Sequence, residues 1–230
     1  MGKQASRKKL ALSALDLFEQ LGYDQTTVDM IAGQAGLSRT TFFRLFQTKE
    51  DVALINHEQL LNQIQVLFSN STKDQAKATL MNAAFVILKG YLDDGELAIR
   101  RYRLSRSVPS LYVRELSSMH LYELAFRRFI KSSIFTEDTD TLRIELLASS
   151  VTTASNHVLR AWLRGSTIDP VGDFDEAMNR VLSKTATSER QSADNSSHAE
   201  YLVVRMNSEA GLSIKSLVQG SEWSRVVFEP

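Results

Sequence analysis

An all-α architecture is expected from three observations. Only three prolines and ten glycines interrupt the 230 residues, which favours long helices over many short strands. Apolar residues recur at spacings of three and four from Leu10 almost to Lys184, as they do on helices with a buried face. The periodic stretches end at helix-stop signals: Gly22, Gly36, Asp93-Asp94-Gly95, Val108-Pro109, Ser133–Asp138 and Gly165–Pro170. With 43% apolar and 23% charged residues, the chain has the composition of a globular protein with a real core.

Composition also closes off several kinds of chemistry. There is no cysteine, so disulfides, thiolate metal sites and cysteine nucleophiles are excluded. The longest strictly apolar run, Ala83–Leu88, is far short of the ~20 residues of a membrane span. The N-terminus has no charged start followed by an apolar stretch and a small-residue cleavage site. A cytoplasmic protein with no membrane partner is expected. Net charge is zero, yet residues 1–49 hold seven basic and four acidic side chains, against 20 and 23 in the remainder. A basic amino end favours a polyanionic partner.

The elements follow in order. Leu10, Ala14, Leu17, Phe18 and Leu21 predict a first helix over Ser6–Leu21, stopped by Gly22. Arg7, Lys8 and Lys9 fall in its first turn, where the helix dipole disfavours cations, so their partner is expected outside the helix. Thr26 or Thr27 caps a short second helix with Val28, Ile31, Ala32 and Ala35 on its apolar face, and Thr26…Asp29 fits a capping box. Gly36 ends it. Ser38 caps a third helix, Arg39–Phe46, with Phe42 and Phe46 on the inner face and Arg39, Thr40 and Arg44 on the outer. Thr48 and Asp51 form a second capping box, opening a long helix to about Phe68. Further helices are expected over Ala76–Asp93, Glu96–Ser107, Ser110–Lys131, Thr139–Arg164 and Gly172–Lys184. Ser183–Ala199 has no large apolar residue and reads as a linker. Beyond it, Leu202, Val204 and Met206, Leu212 and Ile214, and Val226 and Phe228 alternate, consistent with a small strand pair or an unordered tail. The expected domains are 1–48, 49–184, a linker over 185–199, and a C-terminal extension over 200–230.

Two short helices joined by a glycine turn and braced by a preceding helix have the form of a helix-turn-helix. A helix entering the major groove, ~12 Å wide, must be slim and polar on its outer side. Arginine there bonds guanine bidentately, and threonine reaches a base edge, a methyl group or a phosphate. Capped helix starts at Thr27 and Thr48 suit phosphate oxygens, and Lys49 adds a point charge beside the second. The same short capped helices also fit a piece of ordinary helical core.

A resemblance bears on this choice. The stretch Thr26-Thr27-Val28-Asp29-Met30-Ile31-Ala32, then Ala35 through Asp51, preceded by Ala14-x-x-Leu17-Phe18-x-x-x-Gly22-Tyr23, resembles the DNA-binding domain of TetR-family transcriptional regulators. It covers about residues 8–55, a quarter of the chain. The resemblance implies an all-helical homodimer. Each subunit would join an N-terminal three-helix DNA-binding domain, through a fourth helix, to a C-terminal ligand-binding and dimerisation domain. It implies a ligand-responsive repressor that binds double-stranded DNA at a (pseudo)palindromic operator and is released by a small-molecule effector. Carried onto this chain, Ser38, Arg39, Thr40, Thr41 and Arg44 face the groove, while Thr27, Phe43 and Lys49 touch the DNA backbone. Phe43 departs from the family's usual Tyr, and Leu45 from a frequent His or Tyr. Phe42 and Phe46 are expected to be small-core residues.

The second half offers less chemistry. Arg100, Arg101, Arg103 and Arg106 cluster before Pro109, either as a solvated helix face or with one arginine clamping an anionic ligand in a cavity. Tyr91, Tyr102, Tyr122 and Trp162 suit pocket walls or core. The candidate pocket is Tyr91, Arg100, Arg103, Tyr122, Asn156 and Trp162. Four scattered histidines lack metal-ligand spacing, and nothing implies a cofactor. Leu142, Leu146, Ser149, Thr153 and Asn156 form one face of the penultimate helix, and Leu147, Val151, Ala154, Val158 and Trp162 another, as on a helix buried either within the subunit or between subunits. No Gly-x-Ser-x-Gly elbow, P-loop, dinucleotide glycine motif or His-Glu-x-x-His is present, so an enzyme is not expected.

Overall fold

The computed structural model describes residues 2–135, 140–194, 202–205 and 226–229, with side chains through Ser183. Helix α1 spans Lys3–Leu21. It starts three residues before the expected Ser6, which puts Arg7, Lys8 and Lys9 in its second turn. Gly22 closes it at φ +87°, its N–H bonding Phe18 O. Helix α2 is Val28–Gln34, and its cap is Thr27, whose side chain accepts the Met30 N–H. The expected Thr26…Asp29 capping box does not form. Thr26 is buried instead and donates its hydroxyl to Gly22 O at 2.9 Å. The turn is made at Gly36, φ +61°, where Leu37 N–H reaches back to Ala32 O. Helix α3, Arg39–Leu45, starts at Ser38, whose hydroxyl accepts the Thr41 N–H.

Helix α4 is Lys49–Ala53, opened by the full Thr48/Asp51 capping box. The long helix expected from here to Phe68 is broken. Leu54 is extended and buried, and Asn56 starts helix α5, His57–Ser69, by accepting the Gln59 N–H. The short Asn side chain competes with the helical backbone for that donor, which turns a continuous apolar stripe into two helices.

A 3₁₀ turn at Lys73–Gln75 leads to α6, Ala76–Asp94. Then come α7, Glu96–Ser107, α8, Pro109–Ser133, and α9, Thr141–Leu163. These lie within a few residues of the expected bounds, because Gly95 and Pro109 punctuate the chain where the pattern stops. Helix α10, Pro170–Asp194, runs through much of the stretch read as a linker over 185–199. That stretch lacks large apolar residues, but its Ala, Glu, Arg and Gln are good helix formers with no Gly or Pro among them. Strands β1, Leu202–Arg205, and β2, Val226–Glu229, pair in parallel, Leu202 opposite Val226. The Leu212/Ile214 alternation lies outside the described residues. Residues 1–185 form one compact unit and 186–230 another.

The first unit holds two apolar clusters. One joins Leu10, Ala14 and Phe18 of α1 to Ile31, Phe42 and Phe46, and it also takes in Leu97 of α7 and Leu111 of α8. The other fills the bundle of α5–α10 around Ile64, Leu80, Phe126, Val151, Phe174 and Met178. Phe68 stacks on Phe129 with ring centres 4.0 Å apart. Phe42 and Phe46 are small-core residues as expected, and Leu45 packs with them. Burying each such side chain stabilises the fold by about 1.5–3 kcal/mol. The N-terminal head is thus docked on α7 and α8 by apolar contact as well as by chain.

Candidate nucleic-acid interface

With Phe42, Leu45 and Phe46 holding one side of α3 against α1, the other side is turned outward. Ser38, Arg39, Thr40, Phe43 and Arg44 are exposed, and Thr41 is half-buried, its hydroxyl bonded to Ser38 Oγ at 2.9 Å. Thr27 is exposed at the start of α2. Arg44 has no hydrogen-bond or ionic partner among the described residues. Arg39 donates to Asp29 Oδ2 at 2.7 Å, and its guanidinium lies 5.1 Å from the Phe43 ring centre. That ion pair is 58% and 66% exposed. It is therefore weak and readily exchanged for a phosphate or a base edge.

Lys49 is placed differently from its neighbours in the expected contact set. Its ammonium donates to Tyr23 O at 2.8 Å and to Thr26 O at 3.2 Å, and it sits 4.1 Å from the Tyr23 ring centre. The Tyr23 hydroxyl donates to Glu50 Oε1 at 2.7 Å, so both ends of the ring are held. Burial first, then the Glu50 hydrogen bond, push the Tyr23 hydroxyl pKa up. Lys49 and Tyr23 thereby fasten the loop between α1 and α2 to the start of α4.

Three arginines that the sequence did not single out for this role, or assigned elsewhere, fasten the head. Arg7 of α1 donates to Leu45 O, the last residue of α3, and its guanidinium lies 4.3 Å from the Phe46 ring centre. Arg114 of α8 bridges Asp51 and the Thr48 hydroxyl. Arg100, expected in a ligand cavity, instead crosses from α7 to α1, donating to Asp16 at 2.7 Å and to Glu19 at 2.8 and 2.9 Å. These partners lie 38 to 84 residues apart, so no local pattern could have revealed them.

The six expected pocket residues lie in different surroundings. Tyr91 and Tyr122 are buried and close together in a polar network, Arg103 is exposed, and Asn156 and Trp162 are half-buried on α9. None of the six lines the cavities of about 310, 320, 600 and 1270 Å³. In the network, His57 Nε2 is hydrogen-bonded to Glu115 Oε2 at 2.9 Å and His57 Nδ1 to the Tyr122 hydroxyl at 2.9 Å. Tyr91 donates to the other Glu115 oxygen. Burial alone would raise the Glu115 pKa. The hydrogen bond and charge of His57, then the bond from Tyr91 and the charge of Arg101, outweigh it and hold the carboxylate below its usual range. The arginine of this region that is mostly enclosed is Arg101, 11% exposed and paired with Asp94. Among the described residues no group of three His, Cys, Asp or Glu side chains could hold a metal ion, and no helix is long and apolar enough to cross a membrane.

Residues 12–54 match the family model described as bacterial regulatory proteins, tetR family. The chain is also 30% identical over 174 residues to the HTH-type transcriptional regulator TcmR of Streptomyces glaucescens, spanning 70% of this chain and 75% of that protein. The chain belongs to the TetR family of transcriptional regulators.

The fold agrees. A TetR-family transcriptional regulator from Syntrophomonas wolfei superimposes with a TM-score of 0.59 at 16% identity, covering 80% of this chain and 97% of that one. The fatty acid degradation regulator FadR of Bacillus halodurans gives 0.53 at 17% identity, over 76% and 94%. SmeT, solved with triclosan, gives 0.54 at 18% identity, over 78% and 91%. This TetR-family chain is therefore a DNA-binding regulator of transcription, a class distinct from enzymes. The two departures from the family pattern now have a structural place. Leu45 is buried, and Phe43, 44% exposed, offers an apolar ring where a tyrosine would offer a hydroxyl.

Proposed function

We propose that this TetR-family protein is a ligand-responsive repressor that binds a (pseudo)palindromic operator as a homodimer and is released by a small molecule. The observation that carries the DNA-side reading is the outer face of α3, where among the described residues Arg44 has no partner and Arg39 is held by an exposed pair. Arg39, Thr40 and Arg44 read bases, with Ser38 and Thr41 beside them. The Thr27 hydroxyl meets the DNA backbone, and Phe43 packs on sugar or a thymine methyl. Lys49 positions the head and does not itself reach a phosphate, because its three donors are directed at carbonyls and a ring.

Dimerisation is supported by α9. Leu147, Val151 and Val158 are buried within the subunit, whereas Leu142 and Leu146 on the other face are 56% and 57% exposed. Such a row is stabilised by covering it, and a helix-turn-helix protein gains specificity by reading two half-sites one helical turn, or a multiple of it, apart. Release requires an effector that binds the two conformations with different affinity. The triclosan held by SmeT, which shares the fold, supports a small organic molecule in that role.

Selection from a pool of random-sequence duplexes tests the reading. A two-fold-related site should emerge, and affinity should fall steeply with salt as several phosphates are neutralised. Arg39→Ala and Arg44→Ala should each weaken specific binding by about 1–3 kcal/mol. Unchanged affinity and sequence preference in both variants would overturn the assignment.

A further inference from the structure

A cavity of about 310 Å³ lies where the head meets the bundle, bounded by α1, the Leu54–Asn56 break, α6 and α7. A second, of about 320 Å³, lies across the same break, and Arg7, Phe46, Leu54, Ile55 and Asn56 line both. Close packing is the rule in protein interiors, so a hollow seam around one three-residue break marks a place where the head can shift.

The charge in the first cavity is unbalanced. Arg7, Lys8, Lys89 and Arg101 face Asp93 and Asp94. Lys89 is taken by Asp93 at 2.7 Å and Arg101 by Asp94. Arg7 and Lys8 have no carboxylate within ion-pair distance among the described residues. Arg101 is 11% exposed, and its Nε is buried with no partner among the described residues. Burial lowers the pKa of both Arg7 and Arg101; the charge of Arg7 adds a little to this at Arg101, and Asp51 partly offsets it at Arg7. Arg101 has the contact carboxylate Asp94, while Arg7 has only the more distant charge of Asp51, so a partly desolvated guanidinium is left without an ion-paired anion at this cavity. The rest of the wall is mixed, with Ala11, Leu54, Leu60, Val86 and Leu97 as its apolar part and Gln4, Asn56, Gln59 and Gln63 as its polar part.

We propose that this junction cavity binds a small organic anion, its acidic group between Arg7 and Arg101 and its apolar body against Leu54, Leu60, Val86 and Leu97. The site lies between head and bundle. Its consequence for DNA, which rests on the reading of the chain as a releasable regulator, follows from Arg7. That side chain satisfies the carbonyl of Leu45 at the C-terminal end of α3. An acidic ligand that draws the guanidinium into the cavity takes this donor from α3 and wedges the seam. The ligand then prefers the conformation in which α3 is no longer held for the groove, which is the differential affinity that release needs.

The test uses the full chain and anilinonaphthalene sulfonate, an anion with an apolar body, as fluorescent probe. Saturable binding is expected. Arg7→Gln should weaken it about tenfold, as loss of an ionic hydrogen bond does. Val86→Trp, which fills the apolar wall, should weaken it at least as much. The uncharged analogue phenylnaphthylamine should bind the native chain about tenfold less tightly. No binding, or equal binding by both variants and by the uncharged analogue, overturns the site. Far-UV circular dichroism confirms that each variant is folded, and the two substitutions lie on different helices, so misfolding of one leaves the other decisive. In parallel, the probe should displace duplexes from the native chain and not from Val86→Trp. A chain that binds duplex but not the probe refutes the site alone. A chain that binds the probe as described but no duplex refutes the regulator reading alone.

Discussion

Lys49 reaches Tyr23 O at 2.8 Å, whereas Arg44 five residues earlier touches no partner among the described residues. Both belong to the stretch that resembles the family's DNA-contacting motif, and their surroundings differ. Lys49→Ala should cost about 1–2 kcal/mol of folding stability, because two carbonyls lose a charged donor. It should leave the slope of DNA affinity against salt unchanged. Arg44→Ala should do the reverse, with no change in the urea midpoint and weaker specific binding. Urea titration and salt-dependent duplex binding, run on both variants, separate the roles. Arg100 makes the same point in the other half of the chain. As one of four arginines in a row it looked available for a ligand, but three hydrogen bonds to Asp16 and Glu19 commit it to α1.

At the scale of elements, the head depends on a turn and a break. Gly36 holds φ +61° between α2 and α3, and the only atom near the place a Cβ would take is Lys9 Nζ at 3.6 Å. Space is available, so the penalty for Gly36→Ala is one of backbone conformation alone. It should be about 1–2 kcal/mol, read as a lower urea midpoint, and duplex binding should weaken if α3 loses its angle to α2. The break at Leu54–Asn56 shows how a local competitor defeats periodicity. Leu54, Leu60, Leu61 and Ile64 continue one helical stripe, but Leu54 belongs to the head's cluster and Ile64 to the bundle's. A stripe shared by two cores cannot stay on one straight helix. Asn56 with Gln59 three residues on was the legible sign of a new start, hidden by the apolar residues around it.

Across the whole molecule, the buried network beneath that break sets how stability responds to pH. Tyr91 is fully enclosed, and burial first, then the charge and hydrogen bond of Glu115, lift its pKa well above the ordinary 10. The folded state therefore holds the tyrosine proton more tightly than the unfolded state. Its contribution is complete below pH 10 and is lost as pH rises beyond that. Glu115 runs the other way. Its folded pKa lies below the ordinary 4.5, so its contribution is complete above that value and fades as pH falls through the folded pKa. Urea unfolding across pH should show both limbs. Tyr91→Phe should flatten the alkaline one and Glu115→Gln the acid one. Assembly is decided at this scale too. Leu146→Glu places a charge on the exposed row of α9. Light scattering should then report a particle of 25.9 kDa where the native chain gives twice that. A native chain already at the smaller mass would refute dimerisation through α9.

Helix after helix was readable from the chain because the signals are local: apolar spacing, the Thr48/Asp51 box, Ser38 before Arg39, Gly95 and Pro109 at the stops. The outward set on α3 was readable for the same reason, since seven residues with Phe42 and Leu45 inside leave few positions for the outside. What no local pattern held is the set of contacts between residues distant in sequence. Arg7 on Leu45, Arg100 on Asp16, Arg114 on Asp51, and His57 between Tyr122 and Glu115 join segments that drift far apart in an unfolded chain. Only folding brings them into hydrogen-bond range, so only the tertiary structure decided which charges are spent holding the head and which remain for a partner.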